Sequence, residues 1–81
     1  MRRAIEVGVP DWKPLECALS REHCVDFMFM GTTGGIVLYK HRDTRRYLNI
    51  DTATGGFYRY ADGAYIEINR EQAIEHVYGS I

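Results

Sequence analysis

Between Phe27 and Ile68, apolar and polar side chains alternate with period two, and short turn signals interrupt the alternation. The interruptions are Gly31-Thr32-Thr33-Gly34-Gly35, Asp43-Thr44, Thr52-Ala53-Thr54-Gly55-Gly56 and Asp62-Gly63. Glycine and Asp-Gly pairs supply the positive φ values that tight hairpin loops require. The stretch reads as a four-stranded antiparallel meander. Upstream, Ile5, Val7 and Val9 alternate with Ala4, Glu6 and Gly8 as a short edge strand that Pro10 ends. Asp11-Trp12-Lys13-Pro14 then starts a helix, because proline is tolerated in a first turn. Trp12, Leu15, Ala18 and Leu19 share one face of it. Ser20 is placed to cap a further turn through Val25, giving one bent helix or two short ones. After the strands, Asn69 and Gln72 make a capping-box pattern, Ala73, Ile74, Val77 and Tyr78 form an apolar stripe, and Gly79 is the stop. The expected fold class is α+β: an N-terminal helical segment, a four-stranded antiparallel meander and a C-terminal helix packed on one sheet face. Residues 1–81 form one small domain.

Even-numbered loops fix which residues lie opposite one another, and opposite residues share a face. A loop at 62–63 sets Tyr60 against Tyr65 and Tyr58 against Glu67. A loop at 52–55 sets Tyr60 against Tyr47 and Tyr58 against Asn49. A loop at 43–44 sets Tyr47 against Lys40 and Asn49 against Leu38, and a loop at 32–35 sets Leu38 against Phe29. One face then holds Met28, Met30, Val37, Tyr39, Leu48, Ile50, Phe57, Ile66 and Ile68, a core face broken only by Arg59. The other holds Phe27, Phe29, Ile36, Leu38, Lys40, Tyr47, Asn49, Tyr58, Tyr60, Tyr65 and Glu67. Both helices are expected on the Val37/Ile50/Ile66 face.

Charge alters this picture at one place. The net charge of −1 argues against a polyanion partner for the whole molecule. Yet residues 39–60 carry Lys40, Arg42, Arg45, Arg46 and Arg59 against Asp43 and Asp51, while residues 61–81 carry Asp62, Glu67, Glu71 and Glu75 against Arg70. No apolar run approaches the roughly 20 residues of a membrane span, and no signal-peptide core follows Met1-Arg2-Arg3, so a cytoplasmic location and no membrane partner are expected. Cys17 and Cys24 lie among Leu15, Ala18, Leu19 and Val25, and are read as free, at least partly buried thiols.

The aromatic face is the candidate site. Lys40, Tyr47, Tyr60 and Tyr65 form a row across it, edged by Arg42, Arg45 and Arg46, with Tyr58, Phe29 and Leu38 beside them. With Phe27, Phe29, Ile36 and Leu38 the face is too apolar for bare surface, and interface cores are rich in Tyr and Phe. The expected function is therefore non-catalytic: binding of a protein partner or of a second copy, as a homodimer at micromolar concentration. The alternative is single-stranded nucleic-acid binding, with bases on the tyrosines and phosphates on the Arg42–Arg46 turn. Ile36-Val37-Leu38-Tyr39-Lys40-His41 and Arg46-Tyr47-Leu48-Asn49-Ile50 do not carry the aromatic signature of RNA-recognition sheets. Cys17, His23, Cys24, His41 and His76 lack zinc-ligand spacing, and no metal or cofactor is expected. Cys24 with His41 or His76 is a pairing any chain with both residues offers, and no catalytic motif occurs, so the chain is not expected to be an enzyme.

Overall fold

The computed structural model describes Ile5 and residues 8–79. Five strands, β1 (Phe27–Thr33), β2 (Ile36–His41), β3 (Tyr47–Asp51), β4 (Phe57–Ala61) and β5 (Ala64–Ile68), form one antiparallel sheet in chain order. The expectation of four strands falls one short: four turns delimit five segments, and each of them pairs. Three helices complete the described fold: α1 (Lys13–Ala18), α2 (Arg21–Cys24) and α3 (Arg70–Tyr78). None is long and apolar enough to cross a membrane. Of the expected edge strand, residues 4, 6 and 7 lie outside the described residues. Ile5, Gly8, Val9 and Pro10 take no regular structure.

The N-terminal segment is two short helices rather than one bent helix, because Leu19 and Ser20 are extended between them. Ser20 stands at the start of α2 but makes no side-chain cap. Pro14 lies in the first turn of α1, as its sequence position indicates. In α3 both halves of the capping box form: Gln72 N–H donates to Asn69 Oδ1 (2.7 Å) and Asn69 N–H to Gln72 Oε1 (3.0 Å). Arg70 ties the helices together by donating to the Ala18 carbonyl (2.9 Å).

Asp62 (φ 51°) and Gly63 (φ 78°) close the last hairpin as a two-residue left-handed turn. The β2–β3 and β3–β4 loops are built on one plan. His41 Nδ1 accepts from the backbone of Asp43 and Thr44, and Asp51 Oδ1 accepts from Ala53 and Thr54. Each loop then closes through a left-handed residue, Arg45 (φ 65°) in the first and Gly55 (φ 76°) in the second.

The register departs from expectation in β1. Gly34 and Gly35 form a two-residue turn that pairs Thr33 with Ile36, and Met30 is then left over as a β-bulge. One extra residue flips the parity of everything before it. Phe29 pairs with Tyr39 and Phe27 with His41 on the core face, while Met28 pairs with Lys40 on the tyrosine face. The expected pairing of Phe29 with Leu38 is therefore incorrect, and Phe27, Phe29, Met28 and Met30 are reassigned. The swap buries Phe27 and packs the half-buried Phe29 against the core, while Met28 and Met30 are half-buried, which favours the bulge because aromatics remove more apolar surface from water. The other pairings hold where ladders exist: Leu38↔Asn49, Lys40↔Tyr47, Asn49↔Tyr58, Tyr58↔Glu67 and Tyr60↔Tyr65. The β3–β4 ladder stops after Ile50↔Phe57 and Asn49↔Tyr58, so Tyr47 and Tyr60 are not the ladder partners expected.

The core lies between the sheet and the helices. Leu15 of α1 and Ala73 and Val77 of α3 close over Phe27, Val37, Tyr39, Leu48, Ile50 and Phe57. Trp12 stacks on Tyr39 at 5.7 Å between ring centroids, and the Tyr39 hydroxyl donates to the Asp11 carbonyl. Val37 and Ile50 meet the helices as anticipated, whereas Ile66 is an exposed residue. Both cysteines are free. Cys24 is partly buried, with its thiol near the Leu15 and Leu19 carbonyls, but Cys17 is exposed, because six residues of α1 turn only one face to the sheet and Leu15 takes it.

Candidate functional site

With the helices on one face, the opposite face of the sheet carries a hollow of about 1100 Å³. Ile36 and Leu38 of β2, Tyr47 and Asn49 of β3, Tyr60 of β4 and Tyr65 of β5 line it, with the turn residues Gly34 and Gly63 at its margins. Ile5 stands against it from the N-terminal side, and Arg45, Arg46 and His76 form one end. No described acidic side chain lines it. That volume lies just above the range of about 300–1,000 Å³ typical of small-molecule sites.

Six of the ten expected site residues come together here: Leu38, Tyr47, Tyr60, Tyr65, Arg45 and Arg46. Lys40 and Tyr58 share the face without lining the hollow, and Lys40 Nζ stands 5.8 Å from the Tyr47 ring centroid. Arg42 sits outside the hollow, its backbone N–H bonded to the Asp26 carbonyl. Phe29 is on the other face and leaves the site. Tyr60 is 56% exposed and meets Tyr65 at an angle, 4.9 Å between centroids. Burial raises the Tyr65 hydroxyl above its usual range, and the neighbouring Tyr60 and Tyr47 hydroxyls add to the shift. His76 is held below its usual range by lost hydration and by the guanidiniums of Arg46 and Arg59. Arg46 also donates to the His76 carbonyl (3.0 Å), fixing the last turn of α3 to the β2–β3 loop.

Asn49 is the residue the expected site omitted. It is 3% exposed, beside Leu38 at 2%, on the floor of the hollow. Its Nδ2 donates to the Tyr58 carbonyl (3.1 Å) across the seam between β3 and β4. A carbonyl can only accept, so this contact fixes the amide's orientation and turns Oδ1 away from Tyr58. That oxygen is buried and finds no donor among the described residues. A buried unpaired acceptor costs about 1–3 kcal/mol. The available signal was a lone amide between Leu48 and Ile50 in a central strand.

Elsewhere the chemistry is structural. Burial raises the Cys24 thiol, away from the thiolate a nucleophile needs. His41 spends Nδ1 on its own turn. Among the described residues no group of three or more His, Cys, Asp or Glu side chains is arranged to hold a metal ion. The sequence matches no protein-family model, and comparisons with curated proteins and with solved structures find none similar to it.

Proposed function

We propose that this protein is a non-catalytic binding module that receives its partner in the hollow of the tyrosine face. The observation that carries the reading is the hollow itself, whose lining brings Tyr47, Tyr60 and Tyr65 together with Arg45 and Arg46 and holds no described acid. The reading is tested by following amide chemical shifts while a library of small fragments is added. Fragments should cluster on Leu38, Tyr47, Asn49 and Tyr60. Hits confined to the smaller hollow beside Cys17 and Arg70, or scattered over the surface, would remove the site.

A protein interface on the same face is the second reading. Its support is Tyr60, an exposed aromatic at the rim of a type that often anchors protein contacts. Phe27, buried, and Phe29, half-buried against the core, lie on the other face, which takes away much of the apolar surplus that suggested a homodimer. Light scattering separates the readings: a doubled mass abolished by Tyr60→Ala supports the interface, and a mass near 9.3 kDa at micromolar concentration removes the dimer.

A further inference from the structure

We propose that two copies of this chain pair edge to edge through β5, as antiparallel strands about a twofold axis at Ile66, so that two five-stranded sheets become one. The contact uses the rim of the sheet rather than its tyrosine face, so it stands apart from the hollow and from whatever fills it. β5 is the last strand of the sheet, and among the described residues β4 is its only strand neighbour. The Asp62-Gly63 turn fixes which of its backbone groups are spent. A two-residue left-handed turn closes on a hydrogen-bonded pair, here Ala61↔Ala64, and such pairs recur at every second position. Ala64, Ile66 and Ile68 therefore direct their N–H and C=O toward β4, while Tyr65 and Glu67 direct theirs outward. No described backbone group meets Tyr65 or Glu67 from that side.

An open edge is a template for another strand unless something blunts it. At the opposite edge of the sheet the Met30 bulge does so. β5 has no bulge, no proline and no lysine, and its ladder with β4 is regular from end to end. α3 packs under β3 and β4, one strand inward, and Ile66 at the middle of β5 stays 40% exposed. The occupant is a second copy because the strand complements itself. With Ile66 on the axis, Tyr65 exchanges backbone bonds with the partner's Glu67, and Glu67 with the partner's Tyr65. The two Ile66 side chains then meet at a non-hydrogen-bonded position, where Cα atoms approach to about 4.5 Å. Ala64 faces the partner's Ile68, and no like charges oppose each other. Centring the pair on Glu67 would set two carboxylates face to face, and centring it on Tyr65 would overlap only residues 64–66 of the strand. One short strand from each copy is a small contact beside the roughly 20–30 residues a side of a standard interface. The dimer is accordingly reversible, half-formed at about 0.1–1 mM.

The test is sedimentation equilibrium of the intact chain from about 10 µM to about 1 mM, with amide hydrogen exchange followed by NMR over the same range. The mass should rise from 9.3 kDa toward twice that value and stop there, because each copy has one competent edge. The Tyr65 and Glu67 amides should gain protection as concentration rises, whereas Ile66, already bonded to β4, should keep its own unchanged. Ile66→Lys sets two like charges on the axis, and Glu67→Pro removes an outward N–H at an edge position that tolerates proline. Each should weaken association by about tenfold or more while the spectra remain those of a folded protein. Tyr60→Ala, at the rim of the hollow, should leave association as it was. A mass of 9.3 kDa throughout overturns the proposal. So does a dimer that Ile66→Lys or Glu67→Pro leaves intact, a dimer that Tyr60→Ala abolishes, or a mass that climbs past two copies. Association without added protection at Tyr65 and Glu67 overturns it as well.

Discussion

Tyr39 and Tyr60 are the same amino acid in opposite situations. Tyr39 is fully buried between Trp12 and Phe29, its hydroxyl satisfied by the Asp11 carbonyl, and burial drives its pKa far above the usual range. Tyr60 stands at the rim of the hollow with more than half its surface in water. Tyr39→Ala is expected to lower unfolding free energy by about 3–5 kcal/mol. Tyr60→Ala should stay within about 1 kcal/mol of the parent, since an exposed pair contact is all it loses. Urea melts measure both, and the reverse order would mean the two sheet faces are exchanged. The positions of both tyrosines were legible because they follow alternation through turns of known parity. The burial of Asn49 was not. Alternation assigns an amide between Leu48 and Ile50 to the tyrosine face, but how deeply that face is buried depends on the folded neighbours, which alternation does not carry.

Among the elements, β1 shows how a local rule can be right and its result wrong. Turns at 43–44, 52–55 and 62–63 constrain β2 to β5, and their agreement placed Leu38, Lys40, Tyr47, Tyr58, Tyr60 and Tyr65 on one face. Only one turn constrains β1, and a bulge carries no composition signal in Phe27-Met28-Phe29-Met30-Gly31. Phe29 was misassigned for that reason. Deleting Met30 should remove the bulge while preserving Phe29↔Tyr39 and Phe27↔His41, because the residues on either side then close into one regular ladder. The deletion variant is expected to melt cooperatively, with a loss smaller than the about 3–5 kcal/mol of Phe27→Ala. A loss as large as that truncation in thermal melts would show that the bulge itself is required. The helices were legible at α3, where capping box and stripe coincide, and ambiguous around Leu19 and Ser20, where extended backbone separates two turns too short to show a period.

At the scale of the whole molecule, the basic loop and α3 meet at His76. Its folded-state pKa is displaced downward, so the native state favours the neutral imidazole while the unfolded chain protonates it near pH 6.5. Between those two values the unfolded state binds more protons, and stability must fall as pH drops through the window. Comparing urea midpoints at pH 8 and at about 5.5, above most carboxylate titration, should show a decline that is smaller in His76→Gln. An equal decline in the variant would assign the pH dependence to other groups.

The two-pair ladder between β3 and β4 gives the molecule a line of weakness. On one side lie three strands and the N-terminal helices, on the other a single hairpin, and α3 touches both β3 and β4 like a splint. A plate held to its neighbour by so few rungs should breathe, parting at the Tyr47–Tyr60 end well before the protein melts. Native-state hydrogen exchange is the way to see it. The facing edges of β3 and β4 toward that end should exchange at lower free energy than the β1–β2 rungs, and uniform protection across the sheet would deny the seam. Anything seated between Tyr47 and Tyr60 would touch both plates at once, so its first effect on the protein would be to quiet that motion.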